Sequence, residues 1–253
     1  MALQLDLSHL RCLVTGGTRG IGLAITEELL KAGARVYIAS RKQAAVDEAL
    51  ASLSRFGDRC AGSTCNVGEP DDRQKLINSV TDRFGGLDVL VNNAAANPVF
   101  GKVEATEPWA FQKIMQVNLE APFELAKLAL PYLKQSEAAS VLNISSIGGL
   151  RPEPKLGIYS VSKAALNSLT KVLAKEWGRY GIRVNAICPG LIQTDFSQAL
   201  WQNEQLIQQM QHHTPQGRIG QPAEIGRLAV SIVSSFGSYC TGHIFTADGG
   251  YTI

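Results

Sequence analysis

The sequence predicts an α/β protein with a doubly wound, mostly parallel sheet that has helices on both faces. Short β-branched runs alternate with longer segments of helical period, which implies repeated strand–helix–strand crossovers. No Pro/Ser/Gly-rich linker and no internal repeat divides the chain. With 253 residues and 45% hydrophobic content, the chain can bury one sizeable core. We therefore expect a single seven-stranded domain over residues 1–253.

Seven segments have the length and β-branched content of strands. In chain order they are RCLVT (11–15), RVYIAS (35–40), RCAGSTC (59–65), DVLVN (88–92), SVLNIS (140–145), RVNAIC (183–188) and HIFTA (243–247). Between them, apolar residues recur at helical spacing, and glycine ends several of these segments. The clearest predicted helices are 22–33, 71–85, 162–181 and 222–236. A Gln-rich segment follows the sixth strand, and we predict a substrate lid at about 194–215.

Composition and charge argue against several classes of function. The net charge is +2 without any run of like charges, so neither nucleic acid nor a membrane is an expected partner. The five cysteines and four histidines have no metal-ligand spacing, and no metal site is expected. There is no run of about 18 apolar residues and no G-x-S-x-G elbow. We expect a cytoplasmic protein with reduced thiols and no hydrolase chemistry.

The stretch TGGTRGIG (15–22) follows a predicted strand and opens a predicted helix. Its glycines at 16, 20 and 22 allow a sharp turn and a close approach to a ligand, while the N–H groups of the new helix face an anion. The spacing is G-x-x-x-G-x-G, which differs from the G-x-G-x-x-G fingerprint. The stretch predicts a pyrophosphate site, and a glycine-rich turn without a ligand is the alternative.

The end of the second strand indicates which dinucleotide binds. Folds that bind NAD commonly have an Asp or Glu here, which bonds the ribose 2′-OH. This chain has Ser40 and Arg41 instead. A hydroxyl beside a guanidinium suits a phosphate, and Arg19 in the glycine loop adds a second positive group. We predict NADP(H), the alternative being that both arginines are solvated helix-start residues.

The stretch YSVSK (159–163) puts a phenol four residues before an ammonium. On a helix, Tyr159 and Lys163 would share one face. Two unit charges about 5 Å apart at an effective dielectric near 20 interact by roughly 3 kcal/mol, which is about two pKa units. Lys163 is therefore expected to lower the pKa of Tyr159 and make it a usable general acid. Alone, such a pair is usually structural.

Six motifs together resemble the short-chain dehydrogenase/reductase family over about residues 8–250. They are TGGTRGIG, NNAA (92–95), Asn118, ISS (144–146), YSVSK and CPG (188–190). The chain is most similar to NADPH-dependent carbonyl reductases of the tropinone-reductase and peroxisomal dicarbonyl/retinal-reductase type; GLIQTDFSQALW (190–201) is similar to the latter. The resemblance implies a Rossmann-type domain. The chain ends in DGGYTI without an S-K-L address, so peroxisomal import is not expected.

The resemblance also implies four catalytic residues. Tyr159 would protonate the carbonyl oxygen while the nicotinamide hydride reaches the carbon. Ser146, thirteen residues earlier, would bond the same oxygen, and Ser145 is the less favoured neighbour. Lys163 would hold the nicotinamide ribose, and Asn118 would position a water that links Lys163 to solvent. The serine and the tyrosine would stabilise the developing alkoxide.

Further positions are implied to contact the cofactor. Asn66 and Val67 lie where many family members have Asp-Val at the adenine, and Ala95 replaces the usual glycine. The segment after the sixth strand would meet the nicotinamide carboxamide. The whole predicted cofactor set is Gly16, Thr18, Arg19, Gly20, Ile21, Gly22, Ser40, Arg41, Asn66, Val67, Asn93, Ala94, Tyr159, Lys163, Pro189, Gly190, Ile192 and Thr194.

The predicted substrate is an apolar ketone or aldehyde, because the expected pocket walls are apolar. These walls are Val99, Phe100, Leu150, Leu156, Leu191, Phe196, Leu200 and Trp201. Arg151 and Lys155 could meet the phosphates of an acyl carrier or CoA, which leaves a 3-oxoacyl thioester reductase open. A non-catalytic NADP-binding sensor or scaffold is the alternative from another class. By resemblance, the 222–236 helix joins subunits, and we expect a homotetramer.

Overall fold

The structure, a computed structural model, describes residues 5–197, 201, 208, 210 and 212–253. Its strands are β1 (Arg11–Thr15), β2 (Arg35–Ser40), β3 (Cys60–Thr64), β4 (Val89–Asn92), β5 (Ser140–Ile144), β6 (Arg183–Pro189) and β7 (Ile244–Ala247). They form one sheet in the order β3-β2-β1-β4-β5-β6-β7. All neighbouring pairs are parallel. The predicted seven-stranded parallel sheet is confirmed.

The helices fill the intervals between the strands. They are α1 (Gly20–Lys31), α2 (Gln43–Ser52), α3 (Pro70–Phe84), α4 (Pro108–Met115), α5 (Ala121–Leu133), α6 (Gly157–Trp177) and α7 (Pro222–Val233). A single π-helical turn, Gln116–Glu120, joins α4 to α5, and we call it the π-turn. Helix α6 begins earlier than the predicted 162, and Tyr159 therefore lies within it.

Alternate residues of each strand point to opposite faces of the sheet. In β1, Leu13 packs into a cluster with α3, α5 and α6, whereas Cys12 and Val14 pack into a cluster with α1 and α7. Helices α1 and α7 lie close together, since a Cβ on Gly226 would be 2.7 Å from the carbonyl oxygen of Ala24. The sheet thus has a hydrophobic core on each face.

The strand order places a crevice beside β1. Strand β1 has β2 on one side and β4 on the other. The chain leaves toward opposite faces at such a switch point, which opens a crevice at the carboxyl ends of the strands. Helix α1 begins directly after β1 and brings the glycine loop to this crevice.

Two sequence predictions concern membranes and the lid. Among the residues that the structure describes, no helix is both long and apolar enough to cross a membrane. The predicted lid at about 194–215 lies partly outside the described residues. The undescribed part is 198–200, which includes Leu200, together with 202–207, 209 and 211.

Candidate active site

A cleft of about 200 Å³ opens at the crevice. The predicted cofactor residues that line it are Gly16, Thr18, Arg19, Gly20, Ile21, Gly22, Ser40, Arg41, Asn66, Val67, Asn93, Ala94, Tyr159, Lys163 and Thr194. The structure therefore brings most of the predicted set into one cavity. Pro189, Gly190 and Ile192 do not line it.

The glycine loop depends on close backbone contacts. Gly16 has a φ of +63°, and a Cβ on Gly22 would lie 2.1 Å from the Gly16 carbonyl oxygen. The side-chain amide of Asn93 donates to the carbonyls of Thr15 (2.9 Å) and Gly16 (3.0 Å). The Thr15 hydroxyl accepts from the N–H groups of Asn93 and Ala94. Asn93 thus braces the loop with its side chain.

Positive side chains flank this loop. The N–H of Gly17 donates to the carbonyl of Ala39 at 3.3 Å, which holds the glycine loop against the end of β2. Arg19 and Arg41 are both exposed, and with Ser40 they line the cleft. Because guanidinium groups and hydroxyls donate hydrogen bonds, this part of the cleft suits an anion such as a phosphate.

Helix α6 carries Tyr159 and Lys163 on one face, as predicted. The Lys163 ammonium lies 5.7 Å from the centroid of the Tyr159 ring and donates to the Ile144 carbonyl at 2.8 Å. Only 2% of Lys163 is exposed. Burial lowers the pKa of this ammonium to about 8, because loss of water disfavours the charged form.

The pKa of Tyr159 moves in the opposite direction. Burial raises it to about 12, and the Ser146 side chain opposes the increase. The predicted lowering by Lys163 is therefore wrong for the protein chain alone. The pKa rises because burial removes water from the phenolate, and this effect outweighs the attraction of the Lys163 ammonium. Burial also disfavours the charge of that ammonium.

Two neighbouring serines follow β5, and they differ in their partners. The Ser146 hydroxyl accepts from the Gly148 N–H at 3.0 Å. Its hydrogen bond with the Tyr159 phenol lowers the pKa of that phenol. The Ser145 hydroxyl is buried and donates to the Lys163 carbonyl at 3.2 Å. Ser145 thus holds α6 to the sheet, although it also lines the cleft. Ser146 does not line the cleft, but its hydrogen bond to Tyr159, which opposes the rise of the phenol pKa, favours Ser146 as the serine that acts with Tyr159.

Asn118 is fully buried in the π-turn. Its side chain accepts from the Ala96 N–H (2.7 Å) and donates to the Ala96 carbonyl (2.9 Å) and the Ser162 hydroxyl (3.0 Å). The side chain therefore joins the loop after β4 to α6. Pro122, four residues on, has no N–H and leaves the Asn118 carbonyl without its α-helical donor. The water expected at Asn118 stays a prediction.

The segment after β6 contributes less to the cleft than predicted. Gly190 donates to the Ala247 carbonyl at 3.0 Å, and a Cβ on it would lie 2.8 Å from the Asp248 Cα. Ile192 is buried and lines a second cavity of about 350 Å³. Thr194 does line the cleft, beside Gly20. The predicted role of Ile192 at the nicotinamide has no side-chain contact to support it.

Of the described residues among the predicted substrate walls, Phe196 lines the cleft. Its ring centroid lies 6.3 Å from that of Tyr159. The indole N–H of Trp201 donates to the Thr194 carbonyl at 2.7 Å. Phe100 and Leu150 are exposed. The aromatic ring of Phe196 thus lies beside the Tyr159 phenol.

Sequence reasoning missed several residues of the site. Ile144 bonds Lys163, and Val117 lines the cleft. Ile144 is the first residue of the ISS motif and Val117 directly precedes Asn118, so both positions were an available signal. Ala39, Cys65, Ala96 and Asp195 also line the cleft and were not singled out from the sequence.

Comparison with known proteins addresses the family. A family model described as enoyl-(acyl carrier protein) reductase, from the short-chain dehydrogenase/reductase family, matches residues 16–252. The chain belongs to the short-chain dehydrogenase/reductase family. The resemblance inferred from the motifs is therefore confirmed. The family is one of oxidoreductases.

Relatives and solved structures of this family agree with the assignment. Dehydrogenase/reductase SDR family member 4 of Sus scrofa is 41% identical over 239 residues, which cover 94% of this chain and 85% of that protein. A tropinone reductase homolog of Datura stramonium is 42% identical over 254 residues, which cover 98% of this chain and 94% of that protein. The structure of a Pseudomonas aeruginosa RhlG/NADP active-site complex is 33% identical and superposes with a TM-score of 0.92 over 100% of both chains.

Proposed function

We propose that the protein reduces a ketone or aldehyde to an alcohol with NADPH, with Tyr159 as the general acid. One observation carries the proposal: a single cleft joins the glycine loop and two arginines to the Tyr159–Lys163 pair. A dinucleotide that placed its phosphates on the glycine loop would bring its nicotinamide toward α6.

The residues of the cleft fit NADPH. The start of α1 offers N–H groups to the pyrophosphate. The end of β2 carries Ser40 and Arg41 and no carboxylate, so a 2′-phosphate would meet hydrogen-bond donors without repulsion. The similar Pseudomonas aeruginosa chain, described as an NADP complex, also supports this cofactor.

The chain's own side chains account for the proton and the charge. The reduced nicotinamide supplies a hydride to the carbonyl carbon when it is bound. Tyr159 gives its phenolic proton to the carbonyl oxygen, so hydride and proton together make the alcohol. The Ser146 hydroxyl donates a hydrogen bond to the same oxygen. The Lys163 ammonium keeps N–H donors for the ribose hydroxyls and stabilises the phenolate that remains.

A sensor or scaffold would not need this arrangement. Such a protein could use the glycine loop and the arginines alone. The proton donor Tyr159, its partner Ser146 and the buried ammonium of Lys163 would then have no role. Burying an ammonium is unfavourable, which favours an enzyme over a non-catalytic nucleotide-binding protein.

A 3-oxoacyl thioester is the second candidate substrate. Arg151 and Lys155 are both exposed on the loop that precedes α6, where they could meet the phosphate of an acyl carrier or of CoA. The description of the matching family model, enoyl-(acyl carrier protein) reductase, also names an acyl carrier. The proton and hydride chemistry at Tyr159 would be the same for either substrate.

A screen of NADPH oxidation tests the proposal. The substrates are apolar ketones, aldehydes and 3-oxoacyl thioesters, with NADH assayed in parallel. We expect turnover of at least one apolar carbonyl compound, with kcat/KM deciding between the two substrate classes. Tyr159→Phe should lower kcat by about 100-fold or more, since it removes the proton donor. The matched control is Tyr239→Phe, at a fully exposed tyrosine, which should leave kcat unchanged.

Two results would contradict the proposal. NADPH binding without turnover of any carbonyl compound would favour the sensor. Undiminished turnover in Tyr159→Phe would remove Tyr159 from the mechanism while leaving the reductase activity in place.

A further inference from the structure

The loop that follows β3, residues 66–69, forms one wall of the cleft, and we call it the β3 loop. Asn66 and Val67 line the cleft. The Asn66 side chain accepts from the Gly68 N–H at 3.2 Å, and Asp72 accepts from the Asn66 N–H at 2.9 Å. The first bond lies within the loop, and the second joins the loop to α3. Two of its carbonyls are held by side chains from outside it.

Gln116, the first residue of the π-turn, holds one of these carbonyls. Its amide donates to the Gly68 carbonyl at 2.9 Å, and its own oxygen accepts from Lys113 at 3.3 Å. A Cβ on Gly68 would lie 3.0 Å from that amide oxygen. The lack of a side chain at Gly68 thus lets the Gln116 amide come close to the loop.

Arg73 holds the other carbonyl. Only 3% of this arginine is exposed, and its guanidinium donates to the Val67 carbonyl at 2.8 Å. The same guanidinium lies 3.6 Å from the carboxylate of Glu120, the last residue of the π-turn. Both ends of the π-turn are therefore connected to the β3 loop.

The middle of the π-turn continues these contacts toward the reacting groups. Val117 lines the cleft. Asn118 bonds the Ala96 backbone and the Ser162 hydroxyl, and Ser162 directly precedes Lys163 on α6. A continuous set of hydrogen bonds and chain neighbours thus runs from the β3 loop to Lys163.

We propose that Gln116 and Arg73 are positioning residues. When a nucleoside binds to the β3 loop, these two side chains hold the π-turn, and with it Asn118, against α6. The inference rests on the proposed function, since that function makes the ligand an adenine dinucleotide. The π-turn is the element that responds to nucleoside binding, because its hydrogen-bond pattern is irregular and because side-chain contacts connect both of its ends to the β3 loop. Binding of the adenosine half alone should then order the π-turn.

Adenosine 2′,5′-bisphosphate provides a probe that occupies only this half. Hydrogen exchange is followed at backbone amides 113–121 with and without it, and calorimetry measures its affinity. In the natural protein, we expect the probe to slow exchange in the π-turn. In Gln116→Ala it should still bind, within about fivefold of the original affinity, but without slowing that exchange.

Matched variants separate positioning from general damage. Gln112→Ala removes the same side chain one turn earlier, at an exposed position of α4, and should keep the slowed exchange. Because removing the buried Arg73 could unfold the protein, Glu120→Gln tests that connection from its exposed end. It removes the charge that faces Arg73 and should reduce the protection of the π-turn.

The outcomes distinguish this inference from the proposed function. Slowed exchange that is equal in Gln116→Ala and the natural protein, or absent in the natural protein despite binding, would overturn the positioning role. Failure to bind both this probe and ADP would overturn it too, together with the dinucleotide site. Slowed exchange without reduction of any carbonyl compound would refute the reductase and leave the positioning role standing.

Discussion

Tyr159 and Lys163 show how burial sets the charges of the site. Burial raises the pKa of the phenol to about 12 and lowers that of the ammonium to about 8. At neutral pH the phenol therefore holds its proton, as a general acid must, while most of the ammonium remains charged. The ammonium titrates much closer to neutrality than the phenol, so the proposed reaction should respond to pH through Lys163.

The first prediction concerns that pH response. In carbonyl reduction, kcat/KM should be level below pH 8 and fall above it, because Lys163 loses the proton that it uses to hold the ribose. In Lys163→Arg the guanidinium stays charged, and the fall near pH 8 should disappear even if the rate is lower. Steady-state kinetics from pH 6 to pH 10 measure both profiles. A fall near pH 8 that persists in Lys163→Arg would contradict this assignment.

The second prediction concerns stability. The pKa of Lys163 is lower in the folded protein than its ordinary 10.5, so burial of the charged form costs free energy at pH 7. This cost disappears as pH rises from 8 toward 10.5. Lys163→Met should raise the free energy of unfolding by about 1–2 kcal/mol at pH 7, less at pH 10, and should abolish activity.

Urea unfolding at the two pH values measures this effect. The control is Lys171→Met, at an exposed position of the same helix, which should change the free energy of unfolding by less than about 0.5 kcal/mol. A destabilised Lys163→Met protein at pH 7 would show that the bond to the Ile144 carbonyl outweighs the cost of the buried charge.

At the scale of elements, the strands were predictable and the irregular turns were not. Parallel strands are buried on both faces and read as continuous apolar runs, and every predicted strand lies within one residue of the observed one. The early start of α6 was missed because Gly157 is a weak helix former. The π-turn is followed by Pro122 and contacts Gly68 and Arg73, and such contacts leave no periodic pattern in the sequence. Arg73 did leave a signal, since it occupies the same helical face as Leu76, Ile77 and Val80.

The third prediction tests the end of β2. Arg41→Asp should lower the ratio of kcat/KM for NADPH to that for NADH by about tenfold or more, because a charge-assisted hydrogen bond to the 2′-phosphate is replaced by repulsion. Kinetics with both cofactors measure the ratio. Lys42→Asp makes the same change of charge at the next residue, which does not line the cleft, and should change the ratio much less. An unaltered ratio in Arg41→Asp would refute the assignment of NADPH.

At the scale of the whole molecule, one sheet brings distant segments to a common edge. Tyr159 and the glycine loop are far apart in sequence, yet both line the cleft, because parallel strands end at the same edge. Beyond α7, Phe236 remains 53% exposed. It is the last residue of the segment 222–236 that was predicted to join subunits, and it therefore offers a position at which that prediction can be tested.

The fourth prediction is a homotetramer. Light scattering should give about four times the chain mass of 27.2 kDa. Phe236→Lys should yield smaller species, because it places a charge in the expected interface. Val103→Lys, at a similarly exposed apolar residue of a short 3₁₀-helix, is the control and should keep the natural mass. A monomeric natural protein would contradict the prediction.

The sequence by itself determined the parallel α/β fold, the glycine loop and the family, because local patterns and motif spacing express these properties. The family resemblance also implied Ser146 over Ser145, from the spacing of thirteen residues to Tyr159. Only the tertiary structure decided the direction of the Tyr159 pKa, the bracing roles of Asn93 and Asn118, and the placement of Ile192 in a second cavity. These properties depend on burial and on contacts between distant residues, which the order of residues along the chain does not express.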